Sequence, residues 1–254
     1  MLEHLPDQYT AVVTGGGGIG RALLARLHQD PRAGRLIAVT RHPERLRQEA
    51  PLDTDRLEIV DADVTTEQGL QTLSDYLTQT PVHLLFNTIG VLHSGQSDPS
   101  VAITPEKRLE QLSFEALNHA FHVNAATAAM LISTLTDRLM HHPAIIATLS
   151  ARVGSIGDNE LGGWYAYRAS KAALNMLMKT ASVEFKRRNP QAILLCLHPG
   201  TTDTELSRPF QTRVPEGKLF TADFVAERLL AVIDQRTAED SGTFYDWNDK
   251  PIEW

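Results

Sequence analysis

The chain is short of cysteine, of basic charge and of long hydrophobic runs, and each shortage excludes something. Cys196 is the single cysteine in 254 residues, so no internal disulfide exists and nothing asks for an oxidising compartment. The 24 Lys and Arg are outnumbered by 31 Asp and Glu, a formal net charge of −7. That balance argues against a nucleic-acid backbone as the partner. The longest unbroken apolar stretch, Ala192 to Leu197, falls far below the roughly 20 residues a spanning helix needs. The first ten residues carry Glu3 and Asp7 and no secretory apolar segment. A reduced, cytoplasmic protein free of membrane contact is therefore expected. Metal-ligand spacing is missing as well: His141-His142 stands before Pro143, where helix-end histidines are the simpler reading, and no metal is expected.

What is present is ordinary globular composition, 42% hydrophobic and 22% charged. Short aliphatic runs predict strands over Thr10 to Val13, Arg35 to Thr40, Leu57 to Val60, Val82 to Phe86, Ala144 to Leu149, Ala192 to Leu197 and Gly242 to Asp246. Helical spacing fills the gaps: Ile19, Leu23 and Leu27, then Leu70, Leu73 and Leu77, then Ser113 to Met140, Trp164 to Arg188 and Ala222 to Ile233. Several runs lack polar alternation, as strands covered on both faces do. The alternation predicts one α/β domain over residues 1–254, a Rossmann-type doubly wound parallel sheet of about seven strands. Three long loops, Val91 to Gln111, Ala151 to Gly163 and Pro199 to Thr221, leave carboxyl ends of strands, where open sheets bind ligands.

Thr14-Gly15-Gly16-Gly17-Gly18-Ile19-Gly20 joins the first strand to the first helix. Glycines let backbone approach a pyrophosphate whose charge meets the helix N-terminus. A flexible glycine turn is the bland alternative, which the strand-turn-helix context disfavours. About 20 residues on, where an acid would meet a free ribose 2′-hydroxyl, the chain reads Val39-Thr40-Arg41-His42. Arg41 suits a 2′-phosphate, so NADP(H) is favoured over NAD(H). The competing reading has Arg41 merely opening a solvated helix with Arg45 and Arg47.

Tyr167-Arg168-Ala169-Ser170-Lys171 falls inside a helical stretch, which stacks Tyr167 and Lys171 on one face. An ammonium beside the phenol favours phenolate and suits Tyr167 to acid/base work. Such a spacing also arises by chance.

Together, the glycine turn and the Tyr-x-x-x-Lys element resemble the short-chain dehydrogenase/reductase family over nearly the whole chain. Ser150-Ala151-Arg152-Val153-Gly154-Ser155-Ile156 and Gly162 to Asn175 resemble its C-factor and sniffer-type carbonyl reductase branch. The resemblance implies roles. Gly15, Gly18, Ile19 and Gly20 hold the pyrophosphate, Asp63-Val64 meets the adenine, and Asn87 to Gly90 stands for the Asn-Asn-Ala-Gly element. Pro199, Gly200, Thr202 and Thr204 match the loop beside the nicotinamide, and Asn124 anchors a water relay. Lys171 holds the nicotinamide ribose and tunes Tyr167, the proton donor to a carbonyl oxygen that accepts hydride. Ser150 stabilises the nascent alkoxide, with Ser155 the fallback, because Ala151 stands where many members carry a second serine. A second departure is Thr14, which occupies a glycine position when counted back from Gly18-Ile19-Gly20. Ignoring the resemblance, Asn124 is a buried, backbone-satisfied Asn; His198, next to Pro199, is placed to line the cofactor pocket, with a packed strand-end residue the simpler reading.

Two other readings compete: a cofactor-loaded sensor or signalling protein with little turnover, and an extended epimerase or dehydratase. The last needs a further substrate domain, for which the residues after the sixth strand leave no room. Trp164, Phe210 and Phe220 are the apolar pocket candidates, the Pro199 to Thr221 loop the lid. The small-molecule substrate is a carbonyl or alcohol. Ala125, Ala126, Ala128, Ala129, Ala172 and Ala173 suit close helix approach in a homodimer or homotetramer, and suit monomer packing equally.

Overall fold

Aliphatic runs without polar alternation require cover on both faces, and the fold supplies it. The computed structural model describes residues 2–49, 55–93 and 103–254. Part of the first long loop, 94–102, lies outside the described residues. The six long-range strands β1 (Tyr9–Thr14), β2 (Ala33–Thr40), β3 (Leu57–Asp61), β4 (Leu84–Asn87), β5 (Ala144–Leu149) and β6 (Ala192–His198) run parallel. Two short strands, β7 (Thr201–Thr202) and β8 (Leu219–Phe220), pair only with each other, and β9 (Thr243–Asp246) closes the main sheet beside β6. The seven-stranded order is β3-β2-β1-β4-β5-β6-β9. The chain reverses its direction of travel between β1 and β4, which opens a crevice at their carboxyl ends.

Period-two alternation survives in these strands as a choice between two apolar layers. In β6, Ala192, Leu194 and Cys196 face one core, while Ile193, Leu195 and Leu197 face the other. Helices α1 (Gly18–His28) and α7 (Ala222–Asp234) cover the second layer. Helices α3 (Glu67–Leu77), α5 (Thr127–Leu135) and α6 (Tyr165–Arg188) cover the first. Short α2 (Pro43–Glu49) follows β2, and α4 (Phe114–Phe121) lies against α6. Threonine caps start two of them: Thr66 accepts the Gly69 N–H and Thr221 the Phe224 N–H. Behind the second cap, α7 buries Val225, Ala226, Leu229, Leu230, Val232 and Ile233. Leu229 is fully buried, a contribution of about 2 kcal/mol.

Three expectations change. Ser113 to Met140 is not one helix: α4 gives way to a π-helical turn over His122–Ala126, then α5, then a 3₁₀ turn over Thr136–Leu139. Apolar spacing cannot register one extra residue per turn, which is what the π turn inserts around Asn124. The Pro199 to Thr221 segment is more than a loop, since the β7–β8 pair and a 3₁₀ turn over Arg208–Arg213 give it a frame. Trp164 stands outside α6 as its N-cap. Cys196 is 1% exposed in β6, and burial pushes its thiol up to about 12, so it belongs to the core. Among the described residues, no helix is long and apolar enough to cross a membrane.

Candidate active site

The crevice between β1 and β4 begins at the glycine turn. Thr14 is the last residue of β1, fully buried, its hydroxyl donating to Asn87 Oδ1 at 2.8 Å. The turn starts one residue later: Gly15 has φ +95, and a Cβ there would lie 2.5 Å from Thr88 Oγ1. That settles the spacing, since Gly15 takes the left-handed place and Thr14 stays in the strand. At Gly20 an added Cβ would overlap the Gly15 carbonyl oxygen. Gly17, the N-cap of α1, has no side chain to cap with, and a Cβ there would meet open space. The first N–H groups of α1 therefore face the crevice uncapped, which fits a pyrophosphate in charge and shape. Thr204 closes this place from above, its Cγ2 lying 2.6 Å from where a Gly18 Cβ would stand. Ile19 packs against the second core layer.

At the far end of the crevice, Arg41 Nη1 lies 3.5 Å from Asp63 Oδ2. Burial alone would raise the Asp63 carboxyl, but hydrogen bonds from Thr65 and the Arg41 guanidinium hold it below its ordinary range. Val64 is 2% exposed within the first core layer, so its side chain supports the site from behind. Arg45 and Arg47 do sit on α2, paired with Glu49 and Glu44, and Arg45 also reaches Glu205 Oε1 at 2.9 Å. Arg41 and Asp63 thus share one exposed corner, while the two helix arginines are engaged by carboxylates.

Tyr167, Lys171, Gly90 and Asn124 converge where β4 and β5 end. A Cβ on Gly90 would lie 3.4 Å from both Asn124 Oδ1 and Lys171 Nζ, so a side chain there would take up the space between these two polar groups. Gly154 permits the close seat of Lys171 in the same way, with its would-be Cβ 2.7 Å from Lys171 Cβ. Lys171 is 3% exposed, donates to the Leu149 carbonyl at 2.8 Å, and holds Nζ 5.8 Å from the centre of the Tyr167 ring. Burial pulls its ammonium down to about 8. The same burial pushes the Tyr167 phenol above its ordinary range. This opposes the expected direction for the phenol: burial outweighs the Lys171 charge, which lies over the ring. Among the described residues the Tyr167 hydroxyl has no hydrogen-bond partner.

Asn124, in the π turn, is 1% exposed and fully engaged. Its Oδ1 accepts the Val91 N–H at 2.7 Å, and its Nδ2 donates to Val91 O and to Ser170 Oγ at 2.9 and 3.0 Å. Asn87 is likewise a strut, tying Thr14, Ile89 and Thr148 together across β1, β4 and β5. Ser150, at the end of β5, donates to Asn175 Oδ1 at 2.6 Å, while Asn175 Nδ2 reaches the Gly154 carbonyl at 3.3 Å. Ser155 instead accepts the Asp158 N–H at 3.2 Å within its own turn. Ser170 and Asn175 are members of the site that carried no assigned role. Their signal lies at i+3 and i+8 from Tyr167 on one helix, readable only once the helix faces the β5 end.

Apolar side chains bound the opening beside Tyr167. Trp164 lies 6.2 Å from the Tyr167 ring and 5.1 Å from Phe210, and His93 lies 5.9 Å from Phe210. Phe220 goes elsewhere: it packs on Phe224 and Trp247 and seats Gly200, whose φ is +70. It supports the Pro199-Gly200 turn rather than the opening. Thr202 is buried in β7, and Thr204 Oγ1 donates back to Thr202 O at 3.4 Å. His198, at the end of β6, has a buried Nδ1 with no partner among the described residues, and burial holds it down to about 4.

A doubly wound sheet with an uncapped glycine-rich helix start and a Tyr-Lys pair across the crevice defines a dinucleotide-dependent oxidoreductase. The short chain dehydrogenase family model matches residues 9–214, and the chain belongs to that family. It is 31% identical over 151 residues to C-signal of Myxococcus xanthus, spanning 58% of this chain and 83% of that one. To Carbonyl reductase [NADPH] 2 of Sus scrofa it is 27% identical over 248 residues, 92% of each chain. Carbonyl reductase Sniffer of D. melanogaster superposes with a TM-score of 0.78 at 20% identity, covering 97% of this chain and 99% of that one. The protein is an NAD(P)-dependent enzyme of this family.

Proposed function

We propose that the protein interconverts a carbonyl and an alcohol with NADP(H), and that Tyr167 is the proton donor and acceptor. The observation that carries this is the convergence of Tyr167, Lys171, Asn124 and Gly90 opposite the uncapped start of α1. The glycine turn and the corner at Arg41 would hold the dinucleotide, which supplies the hydride when bound. Tyr167 presents an unengaged hydroxyl to the opening, and hands its proton to the carbonyl oxygen as charge develops there. Ser150, held by Asn175, is the second donor to that oxygen. Lys171 keeps a positive charge beside Tyr167, which stabilises phenolate once the proton has left. Asn124 braces Val91 and Ser170, fixing the floor on which a water relay would start.

Arg41 favours NADP(H), because no acid stands at the end of β2 and its guanidinium is half exposed beside Asp63. The relative named for NADPH supports the same choice. Trp164 and Phe210 give the carbonyl's substituent an apolar wall. Absorbance of NADPH, followed with a panel of aldehydes and ketones, tests the reading; no oxidation of the cofactor with any of them overturns it. That result would favour binding without turnover, the reading closer to C-signal by name.

A homo-oligomer through α4, α5 and α6 belongs to the same proposal. Phe114, Met130, Met176 and Val183 stand exposed on these helices, whereas Ala125 and Ala128 are consumed by the monomer's core. Mass by light scattering decides it, and a monomer at micromolar concentration counts against it. A cytoplasmic location agrees with the single, buried thiol.

A further inference from the structure

Helix α6 starts against the preferences of its own sequence. Its N-cap, Trp164, offers no oxygen to the first turn and sits in the left-handed region at φ 52 and ψ 44, directly after Gly162 and Gly163 at φ 61 and 68. A left-handed conformation is unfavourable for a non-glycine residue, and an N-cap without a side-chain acceptor leaves the first N–H groups of the helix unmet. Both deficits are met by one residue 60 positions earlier. Glu106 Oε2 accepts the Ala166 N–H at 3.2 Å, and the Glu106 carbonyl accepts the Trp164 N–H at 2.5 Å.

Glu106 is 3% exposed, its Oε1 is buried without a hydrogen-bond partner, and among the described residues no Lys, Arg or His pairs with it. A buried acceptor persists where a donor meets it. Here that donor is the Ala166 N–H in the first turn of α6, one residue before Tyr167.

We propose that Glu106 is a positioning residue for Tyr167: a cap supplied by a distant segment of the same chain that fixes the first turn of α6, and with it the direction of the phenol and of Trp164. The proposal rests on the reading of Tyr167 as proton donor. It also gives the segment around residue 106 a reason to lie against the active site, because its backbone and its side chain hold the same turn.

The test uses the full chain carrying Glu106→Ala, Glu106→Asp and Glu106→Gln. Tyrosine ring signals from carbon-13 labelled protein are followed by NMR, with the Tyr167 signal assigned by its loss in Tyr167→Phe. Removing the acceptor in Glu106→Ala, or withdrawing it by one carbon in Glu106→Asp, should move the signals of Tyr167 and of Tyr165 in the same turn, and leave Tyr9, Tyr76 and Tyr245 in place. The same two variants should lose at least about tenfold in kcat while Kd for NADPH stays within about twofold. Glu106→Gln keeps an acceptor oxygen and should restore both. An unmoved Tyr167 signal in a folded Ala or Asp variant overturns the proposal. So does a Gln variant as impaired as Ala, or refusal of both Ala and Asp to fold, which would make the role one of stability alone. If the wild type turns over no carbonyl and the Tyr167 signal still moves, the reductase reading fails and the positioning role stands.

Discussion

Two helices begin at this site, and they begin in opposite ways. Helix α1 opens on Gly17 with nothing to cap it, so its first N–H groups stay available to a ligand. Helix α6 opens on a strained Trp164 and is closed by the protein's own carboxyl, Glu106. The same backbone dipole thus serves binding at one end of the crevice and precision at the other. An open helix start is a receptor, whereas a closed one is a mount for the residue that follows it.

Substitutions on either side should separate these two uses. The largest effect is expected from Tyr167→Phe on the closed side, a fall in kcat of about 10²- to 10⁴-fold with Kd for NADPH unchanged. Retention of wild-type turnover would remove Tyr167 from the chemistry. On the open side Gly20→Ala puts a methyl into the Gly15 carbonyl and should weaken NADPH binding by roughly a hundredfold. Fluorescence titration reads this directly, and unchanged affinity would mean that the dinucleotide lies elsewhere.

Arg41→Ala should raise Kd for NADPH by about 10- to 100-fold, the worth of a charge-assisted hydrogen bond, and leave NADH untouched. An equal loss for both cofactors would contradict the 2′-phosphate assignment. Asn175→Ala frees the Ser150 hydroxyl and should lower kcat about tenfold. If Ser155→Ala costs more than Ser150→Ala, the serine assignment reverses.

The smallest effect concerns the frame both helices share. His83 and His198 are each held down to about 4 from an ordinary 6.5, chiefly by burial. The unfolded chain therefore binds protons that the folded sites refuse, so stability present above pH 6.5 is lost as pH falls toward 4. His83→Asn keeps an acceptor for the Thr10 N–H, now met by Nδ1 at 3.1 Å, and should flatten the fall of Tm with pH. An unchanged slope would shift the burden to other groups.

The open side of the comparison was legible in the residues; the closed side was only partly so. Strands, glycine turn and the Tyr-Lys spacing are local patterns, written within one or two turns of chain, and β5 forms over the expected Ala144–Leu149. The Asn124 turn, the Ser150–Asn175 bond and the Glu106 cap join residues 25 to 60 positions apart. No periodicity records such pairs, because each depends on where whole helices come to rest. Even the pocket wall illustrates it: Trp164 and Phe210 meet, while Phe220, equally aromatic, turns under Gly200.

Cys196 offers a use that its burial creates. Its sulfur lies in β6, inside the sheet, 1% exposed and with its thiol pushed up to about 12. A thiol reagent has no other target in this chain, so its rate of labelling reports how often the sheet itself comes apart. The protein thereby carries its own clock for global opening, against which the protection given by cofactor can be timed without any substitution in the chain.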